Sequence, residues 1–544
     1  MNTNTHVTAT RTTPALSWRN VTLGVAMLGA TALSSPVFAQ SAPAGDAATI
    51  EHLSNELHSL QAQIDALRVQ QAQTQHQVTV VTTKVATAPV TAPTSGMQTA
   101  AASTAAPVPG TAGASVHLGG VKITPGGFIE AAEIYRSRNE TTDIGSSFGG
   151  VPLPNTSNYR TSEFRSSAHQ SRLSLLAQGD YDNNLKLAAY YESDFISAAP
   201  TANSNESNSY NLRLRLAYAT ADYRPTGTHL LFGQGWSLLA LNAKGITPHT
   251  EIQPAGIDAQ YVVGYSWARQ MQIRVVQDIT PWAHIGFSVE EPQAVYAGTD
   301  PSGTIVNNPG TPQLNPLTTY STDVAPDLIA KFAMDPGWGH YEVFGLARWF
   351  HDQTGLTTGT TGKGGNNTVT AGGVGGSAIL PLVPNMVDFQ ISAMYGDGIG
   401  RYGSGGLADA TVNAAGQPNP VREIQALAGL VAHPTAQLDL YAYAGIEQAA
   451  RTAVSVVGAN DYGYGNGALN NAGCWAIGGT CQAQTSSLRE LTGGGWYKFY
   501  KGRYGMAEFG VQDEFITRNT FGARGGAPNT NMNVVMTSFR YYPF

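Results

Sequence analysis

The residues best suited to chemistry are arginines that recur within short segments of alternating polar and apolar residues. The set comprises Arg172, Arg213, Arg215 and Arg274, with Glu192 and Asp194 as the opposing acids. Guanidinium groups present planar donors that match carboxylates, and clustered ones attract anions. Two interpretations stay open: a surface that selects small anions, or arginines that only form salt bridges with those acids.

Covalent catalysis finds little support in the same sequence. Eight histidines follow residue 115, at His117, His169, His229, His249, His284, His340, His351 and His433. None belongs to an H-E-x-x-H pattern, a Gly-x-Ser-x-Gly elbow or a dense Asp/His cluster. His351 and Asp352 are adjacent, so on a strand they point to opposite faces. We therefore expect no enzyme, no cofactor and no metal site.

The amino terminus resembles an export signal. Arg11 and Arg19 precede an apolar segment and a small-x-small site at Val37–Ala39, so we expect a signal peptide over 1–39. Cleavage removes two of 30 basic residues and none of 37 acidic ones, leaving a net charge of -9, which argues against nucleic acid. In an oxidising compartment, the single pair Cys474 and Cys481 predicts a disulfide.

A heptad seam follows a mature tail at 40–49. The seam positions that define it are Ile50, Leu53, Leu57, Leu60, Ile64 and Leu67. Their 3-4-3-4 spacing continues to residue 85 and predicts a self-associating coiled coil over 50–85, against the alternative of a lone surface helix. Residues 86–117 are rich in Ala, Pro and Thr and predict a linker.

From residue 118 to 544 the apolar period becomes two. About sixteen β-like segments alternate with turns, and short turns alternate with long loops rich in Gly, Asn, Ser and Pro. Only 12% of residues are charged, and no apolar run is long enough for a transmembrane helix. The pattern predicts an all-β, antiparallel transmembrane barrel of about 16 strands, with a Gly-rich soluble β-protein as the competing explanation.

Several strands predict which face each residue occupies. In LRLRLAY (212–218) we expect the leucines to share the outer face and Arg213 and Arg215 to point inward, because arginine facing lipid is costly. In the closing strand, the preferred parity places Val535 and Phe539 outward and Arg540 inward. Pro543 cannot donate to the sheet, so we expect pairing to falter at Tyr542–Pro543.

Four segments carry a family resemblance: QSRLSLLAQGDYDNNLKLAAYYESDF (170–195), SNSYNLRLRLAYATADY (207–223), LLFGQGWSLL (230–239) and WARQMQIRVVQD (267–278). Together with the closing TSFRYYPF they resemble DcaP-like trimeric outer-membrane porins. The resemblance implies a homotrimer with an N-terminal coiled coil, a sixteen-stranded barrel and uptake of small anions such as dicarboxylates.

The third long loop, 237–264, is the candidate constriction. It carries Lys244, His249, Glu251 and Asp258, and in trimeric porins the third loop folds inward. An ordinary surface loop is the alternative. The pore-lining residues that we expect to set selectivity are thus Arg172, Arg213, Arg215, Arg274, Glu192, Asp194, Lys244 and Arg540.

The sequence therefore favours a passive outer-membrane channel for small polar or anionic solutes. Expected partners are two further copies, outer-membrane lipids and the barrel-assembly machinery, which would read the C-terminal strand. The alternative is a structural outer-membrane protein, an envelope tether or adhesin whose coiled coil forms a stalk in the periplasm.

Overall fold

The computed structural model describes residues 115–197, 210–311, 315, 317–355 and 365–544. The expected signal peptide, mature tail and coiled coil, and most of the linker, lie outside the described residues. The last linker residues do not match their expected role, because Val116–Leu118 already pairs with the first barrel strand.

One closed antiparallel sheet of sixteen strand positions forms the barrel. We number these positions in chain order; the second position holds two segments. They are β1 Val121–Arg136, β2 Glu163–Ser167 with Arg172–Asp180, β3 Leu185–Asp194, β4 Arg213–Tyr223, β5 Thr228–Trp236, β6 Arg269–Thr280, β7 Ala283–Glu290, β8 Asp327–Met334, β9 His340–Thr354, β10 Gly365–Val383, β11 Val387–Asp397, β12 Arg422–Thr435, β13 Leu438–Ala449, β14 Thr485–Gly502, β15 Gly505–Thr520 and β16 Asn529–Tyr542.

The barrel closes where β16 pairs with β1. Arg540 lies opposite Glu130, and Val535 lies opposite Tyr135. Closure satisfies the hydrogen bonds of both edge strands, which is the requirement for crossing a bilayer with strands. The predicted number and direction of strands are confirmed.

Alternation along β6 shows why these residues form barrel strands. Met271 and Ile273 are 43% and 57% exposed on the outer face, whereas Gln272 and Arg274 are 1% exposed on the inner face. An apolar exterior with polar residues inside is the arrangement that a transmembrane barrel requires.

Connections segregate by length, as the sequence predicts. Seven turns of two to five residues lie at one end and eight longer loops lie at the other. The sequence predicts a long loop over 353–372, which is half right: β9 continues to Thr354 and β10 begins at Gly365. Thr368, Val369 and Thr370 favour a strand, and local pairing extends the hairpin beyond the predicted end.

The long loops carry small elements of their own. Hairpins pair Asn307–Pro309 with Thr319–Ser321, Ala410–Val412 with Pro418–Pro420, and Ser455–Val457 with Asn460–Tyr462. Short 3-10 helices span Phe148–Gly150, Ser157–Arg160, Gly400–Tyr402 and Ala472–Trp475. In the described parts of the chain no helix is long and apolar enough to cross a membrane.

The closing strand has the preferred parity. Val535 and Phe539 are 40% and 42% exposed on the outer face, and Arg540 is 9% exposed on the inner face. Pairing does not become irregular before the end: Tyr542 still pairs with Met506, and the sheet stops there. Pro543 has no N–H to continue the ladder.

Candidate functional site: the barrel interior

The loop between β5 and β6, residues 237–268, lies inside the barrel. Its Leu239, Ile246 and Val263 are completely buried. The N–H of Ala255 donates to the Tyr443 hydroxyl on β13 at 3.1 Å. Strand β13 is eight positions from β5 and so lies on the opposite wall of the sixteen-stranded barrel. The loop therefore crosses the lumen.

Further contacts fix the loop to the far wall. Trp496 on β14 donates its indole N–H to the carbonyl of Ala255 at 2.8 Å. The N–H of Ile257 donates to Gln512 Oε1 on β15 at 2.6 Å. The sequence left two alternatives open, a surface loop or a loop that folds inward. The structure shows the loop folded inward. We call it the constriction loop.

The four charged or titratable residues named in this loop are not gathered in one place. Lys244 is exposed next to Gly245, which bonds Asp335 in the turn after β8. Glu251 pairs with Arg274, and Asp258 is fully buried. Lys244 therefore lies at the short-turn end of the barrel, away from the arginines near the long-loop end.

Three predicted arginines meet at the long-loop end of β2, β3 and β4. Arg215 Nε lies 2.6 Å from Glu192 Oε1, and its Nη1 lies 2.9 Å from Asp194 Oδ2. Arg213 forms a two-point contact with Asp194 at 2.9 and 2.7 Å. Arg172 Nε lies 3.7 Å from Glu192. We call these five residues the arginine cluster.

A bulge in β4 brings Arg215 into this cluster. Glu192 pairs with Leu216 and Ser193 pairs with Leu214, so Arg215 is the extra residue. Arg215 and Leu216 are consequently both buried, at 2% and 4% exposure. The expectation that all leucines of this strand share the outer face is wrong for Leu216, because a bulge shifts the alternation by one residue.

Glu192 and Asp194 were expected on the wall opposite the arginines, but they lie on the same side of the barrel. The opposite wall carries four other acids, which are not among the predicted site residues: Glu423, Glu447, Glu490 and Glu514, on β12 to β15. All four are buried. Within the described ranges, none has a basic group within ion-pair distance. The alternation of inward and outward residues along these adjacent strands could have identified the four glutamates from the sequence.

The constriction loop lies between these two walls. On the acidic side, the N–H groups of Val263 and Gly264 donate to Glu490 and Glu447, both at 2.8 Å. On the basic side, Arg215 Nη2 donates to the Tyr261 hydroxyl at 3.0 Å. Four consecutive residues thus span the lumen from an arginine side chain to the buried glutamates.

The remaining two predicted arginines tie neighbouring parts of the interior together. Arg274 is 1% exposed and donates to Glu251 at 2.8 Å. Arg540 donates to Glu130 at 2.9 Å and lies 4.3 Å from the ring centre of Trp496. Both pairs match the salt-bridge interpretation, since they join loop to wall or strand to strand.

Arg269 also belongs beside the arginine cluster, although sequence parity gave no signal for it. Counting by twos from Arg274 puts residue 269 on the outer face, but at the strand end its guanidinium group lies 5.1 Å from the ring centre of Trp236. Its Nη1 is buried without a hydrogen-bond partner in the described structure. Four arginines here outnumber the two acids, so the local charge is positive.

Tyr261 reports that positive charge. Burial raises the pKa of its phenol, but the guanidinium groups of Arg215, Arg172 and Arg269 outweigh burial and lower the pKa below its ordinary value. Its backbone adopts a left-handed φ of 68°, which costs energy in a non-glycine residue. The hydroxyl is therefore held against the arginines despite that strain.

Replacing Tyr261 with phenylalanine tests this electrostatic assignment. We expect the near-ultraviolet phenolate titration to lose its lowest-pH step, because the remaining 23 tyrosines lack this set of neighbouring arginines. Tyr218→Phe is the matched control, since its hydroxyl lies 3.3 Å from His249 Nδ1 rather than against the arginine cluster. An unchanged first step in the Tyr261 variant would contradict the assignment.

A disulfide fixes the long loop between β13 and β14. The sulfur atoms of Cys474 and Cys481 are 2.08 Å apart. The neighbouring Gly478 donates its N–H to the carbonyl of Asn155 at 2.8 Å, and Asn155 donates to Gly479 at 3.1 Å. The cross-link therefore shapes a segment that joins two long loops.

Replacing both cysteines with serine should increase proteolysis of this segment. Without the short cross-link, the conformational entropy of the unfolded loop rises, which lowers the loop's free energy of unfolding by about 2–3 kcal/mol. The loop therefore opens locally more often. Limited proteolysis of oxidised, reduced and double-variant protein measures the effect. Equal cleavage rates in all three samples would show that the disulfide does not stabilise the loop.

Comparison with known proteins agrees on the fold. No protein-family model matches the chain, and no curated protein matches it. The outer membrane channel DcaP of Acinetobacter baumannii is similar at a TM-score of 0.54 and 18% identity, over 78% of this chain and 98% of that one. The anion-selective porin from Comamonas acidovorans gives 0.43 and 11%, over 78% and 99%. OmpT of Vibrio cholerae gives 0.41 and 10%, over 79% and 99%.

We base the fold assignment on the first of these alone. The resemblance to DcaP-like porins that the sequence carries is confirmed at the level of fold, and the chain has the fold of an outer-membrane channel.

Proposed function

We propose that this chain is an outer-membrane porin, a passive diffusion channel for small hydrophilic solutes that favours small anions such as dicarboxylates. The observation that carries the proposal is the excess of arginine over acid beside a loop that crosses the lumen. Arg213 and Arg172 keep 32% and 16% of their side-chain surface accessible. A passing carboxylate can therefore contact guanidinium groups that are already positioned.

The fixed guanidinium groups support the same function. They attract an anion to one side of the lumen. Selectivity then follows from where charge is fixed in the lumen rather than from any covalent step. We accordingly propose no enzymatic activity and no cofactor.

We further propose a homotrimer in the outer membrane, exported by the signal peptide and assembled through the C-terminal strand, with a periplasmic coiled coil. One outward carboxylate supports the trimer. Glu133 on β1 is exposed and lies opposite Thr537, in an outer groove that includes Phe509 and Phe539. A charge on the lipid-facing surface is unfavourable, whereas a second protomer can cover it.

Planar-bilayer recording of the purified protein tests the proposal. We expect openings in three equal steps and a reversal potential that favours chloride in a potassium chloride gradient. Liposome swelling should be faster with dicarboxylates than with sugars or amino acids of matched size. Arg213→Gln should reduce the preference, and the exposed Arg422→Gln is its control.

Absence of conductance would reject the porin and favour the alternative of an envelope tether or adhesin. Conductance with equal swelling rates for the three solute classes would retain the channel and reject the anion preference. A single conductance step would reject the trimer.

A further inference from the structure

A chain of alternating histidines and carboxylates runs along the inner wall at the short-turn end of the barrel. It crosses from β4 to β9. We call it the histidine ladder; its members are Asp222, His229, Asp278, His284, Asp335, His340 and Glu342.

Its first half joins β4 to β7. His229 Nδ1 lies 2.8 Å from Asp222 Oδ1, and its Nε2 lies 3.2 Å from Asp278 Oδ2. His284 Nδ1 lies 2.6 Å from Asp278 Oδ1, and its Nε2 lies 3.3 Å from Asp335 Oδ2. Each imidazole therefore faces a carboxylate from both of its nitrogens, although His284 Nε2 is within ion-pair distance of Asp335 without hydrogen-bond geometry.

The second half continues into the turn after β8 and into β9. His340 Nδ1 lies 2.9 Å from Asp335 Oδ1, and its Nε2 lies 3.0 Å from Glu342 Oε1. Glu342 also accepts a hydrogen bond from Lys331 at 2.9 Å. The buried pair of Arg274 and Glu251 also faces Lys331, and Lys186 on β3 lies opposite Asp222.

The protonation state of the histidines follows from this geometry. A neutral imidazole has one N–H, and its other nitrogen presents a lone pair. Opposite a carboxylate, that lone pair is repelled, whereas an imidazolium donates from both nitrogens. Three histidines in this position are compatible with the arrangement only when each is an imidazolium, protonated on both nitrogens.

The ladder holds the inner end of the constriction loop. Asp335 Oδ2 accepts the N–H of Gly245 at 2.9 Å, and Glu342 Oε1 accepts the N–H of Asn242 at 3.0 Å. Lys331 Nζ donates to the carbonyl of Ala240 at 2.6 Å. Two of the carboxylates that bind the histidines, Asp335 and Glu342, thus also bind the loop backbone.

We propose that the histidine ladder is a pH-sensitive anchor that positions the constriction loop in the lumen. With the imidazoles protonated, they neutralise and orient Asp335 and Glu342, and the loop is fixed. As pH rises and each imidazolium loses a proton, the carboxylates of the ladder lose the cations between them. Their contacts with residues 240–245 then weaken. The loop is released in the alkaline direction.

The state of Asp335 agrees with this direction. Burial raises the pKa of Asp335, but contacts from His284 and His340 and the N–H of Gly245 lower it well below its usual range. A carboxyl with a depressed pKa stabilises the folded state above its unfolded pKa and loses that contribution only in strong acid. Across neutral and alkaline pH, the histidines are therefore the groups that change.

Hydrogen exchange of the loop amides tests the anchor in the intact protein. We expect the protection factors of Asn242 and Gly245, corrected for intrinsic exchange, to fall by about tenfold or more between about pH 6 and about pH 9. In Asp335→Asn and His284→Gln they should already be low at the acidic end. Protection that stays constant in the wild type across this range would overturn the proposal without reference to any variant.

His433 supplies the matched control. It lies at another short turn, is 40% exposed and, among the described residues, forms an ion pair with Asp439 only, at 2.7 Å. His433→Gln should leave the exchange of residues 242 and 245 unchanged; a change equal to that of His284→Gln would reject a specific role for the ladder.

Conductance provides a second readout, which rests on the proposed function. We expect larger current fluctuations in alkaline solution, and an early onset in His284→Gln. If the protein does not conduct, the porin proposal fails while the exchange result still decides the anchor. If it conducts but exchange is independent of pH, only the anchor fails.

Discussion

Replacing Arg215 with leucine is expected to lower the free energy of unfolding by about 3–5 kcal/mol, because it leaves buried carboxylates without their partner. Glu192 and Asp194 are 5% and 0% exposed, so water cannot readily replace the guanidinium group. Arg213 retains its contact with Asp194, and Arg172 lies farther from Glu192, at 3.7 Å. Most of the loss should therefore come from Glu192.

Equilibrium urea unfolding in detergent or lipid measures this loss. Adding Glu192→Gln to the leucine variant should recover most of it, because a neutral side chain does not require a buried cation. Arg422→Leu is the control: its pair with Asp397 is 59% and 41% exposed, so we expect only a small change. A leucine variant as stable as the wild type would show that the arginine cluster does not stabilise the barrel.

Removing the constriction loop is expected to raise single-channel conductance several-fold. Trp236 pairs with Arg269, and the N–H of Ser237 donates to the carbonyl of Ala268 at 2.9 Å. Residues 238–267 can therefore be replaced by a two-glycine turn without moving either strand. The lumen then loses the segment that separates the arginine cluster from the acidic wall.

A loop that stays outside the lumen gives the control. Replacing residues 456–461 of the small hairpin by two glycines should leave conductance unchanged, since its Val456 and Val457 are exposed at 57% and 54%. Both deletions are compared by step size in planar bilayers, with the folded state checked by heat-dependent migration on gels. Equal conductance in the wild type and the loop deletion would mean that solutes do not pass this constriction.

The positions of single residues on strands were predictable where strands are regular. Side-chain direction alternates with every residue, so Arg274 inward and Ile273 outward follow from the bilayer's penalty on charge. The same reasoning identifies the inward parity of Arg540. It is wrong at Leu216, because the bulge at Arg215 is set by pairing with β3 rather than by the residues of β4 alone.

The grouping of charges required the closed barrel. The sequence places Glu192 and Asp194 near the arginines in the chain but not on a particular wall, since the wall depends on strand position around the circumference. Glu447 and Glu490 are distant in sequence from the arginine cluster and become its counterpart only when the constriction loop joins the two sides. Arg269 lies beside the arginine cluster because the first residue of β6 departs from regular alternation.

By itself, the sequence determined the all-β class, about sixteen strands, the segregation of short turns from long loops, and the resemblance to an outer-membrane channel. These depend on composition and on periodicity along the chain, which are local. Only the tertiary structure decided that residues 237–268 cross the lumen and that residues 242 and 245 bind Glu342 and Asp335. That path depends on hydrogen bonds between residues about 90 to 100 positions apart, and no local pattern encodes which carboxylate a backbone N–H will meet.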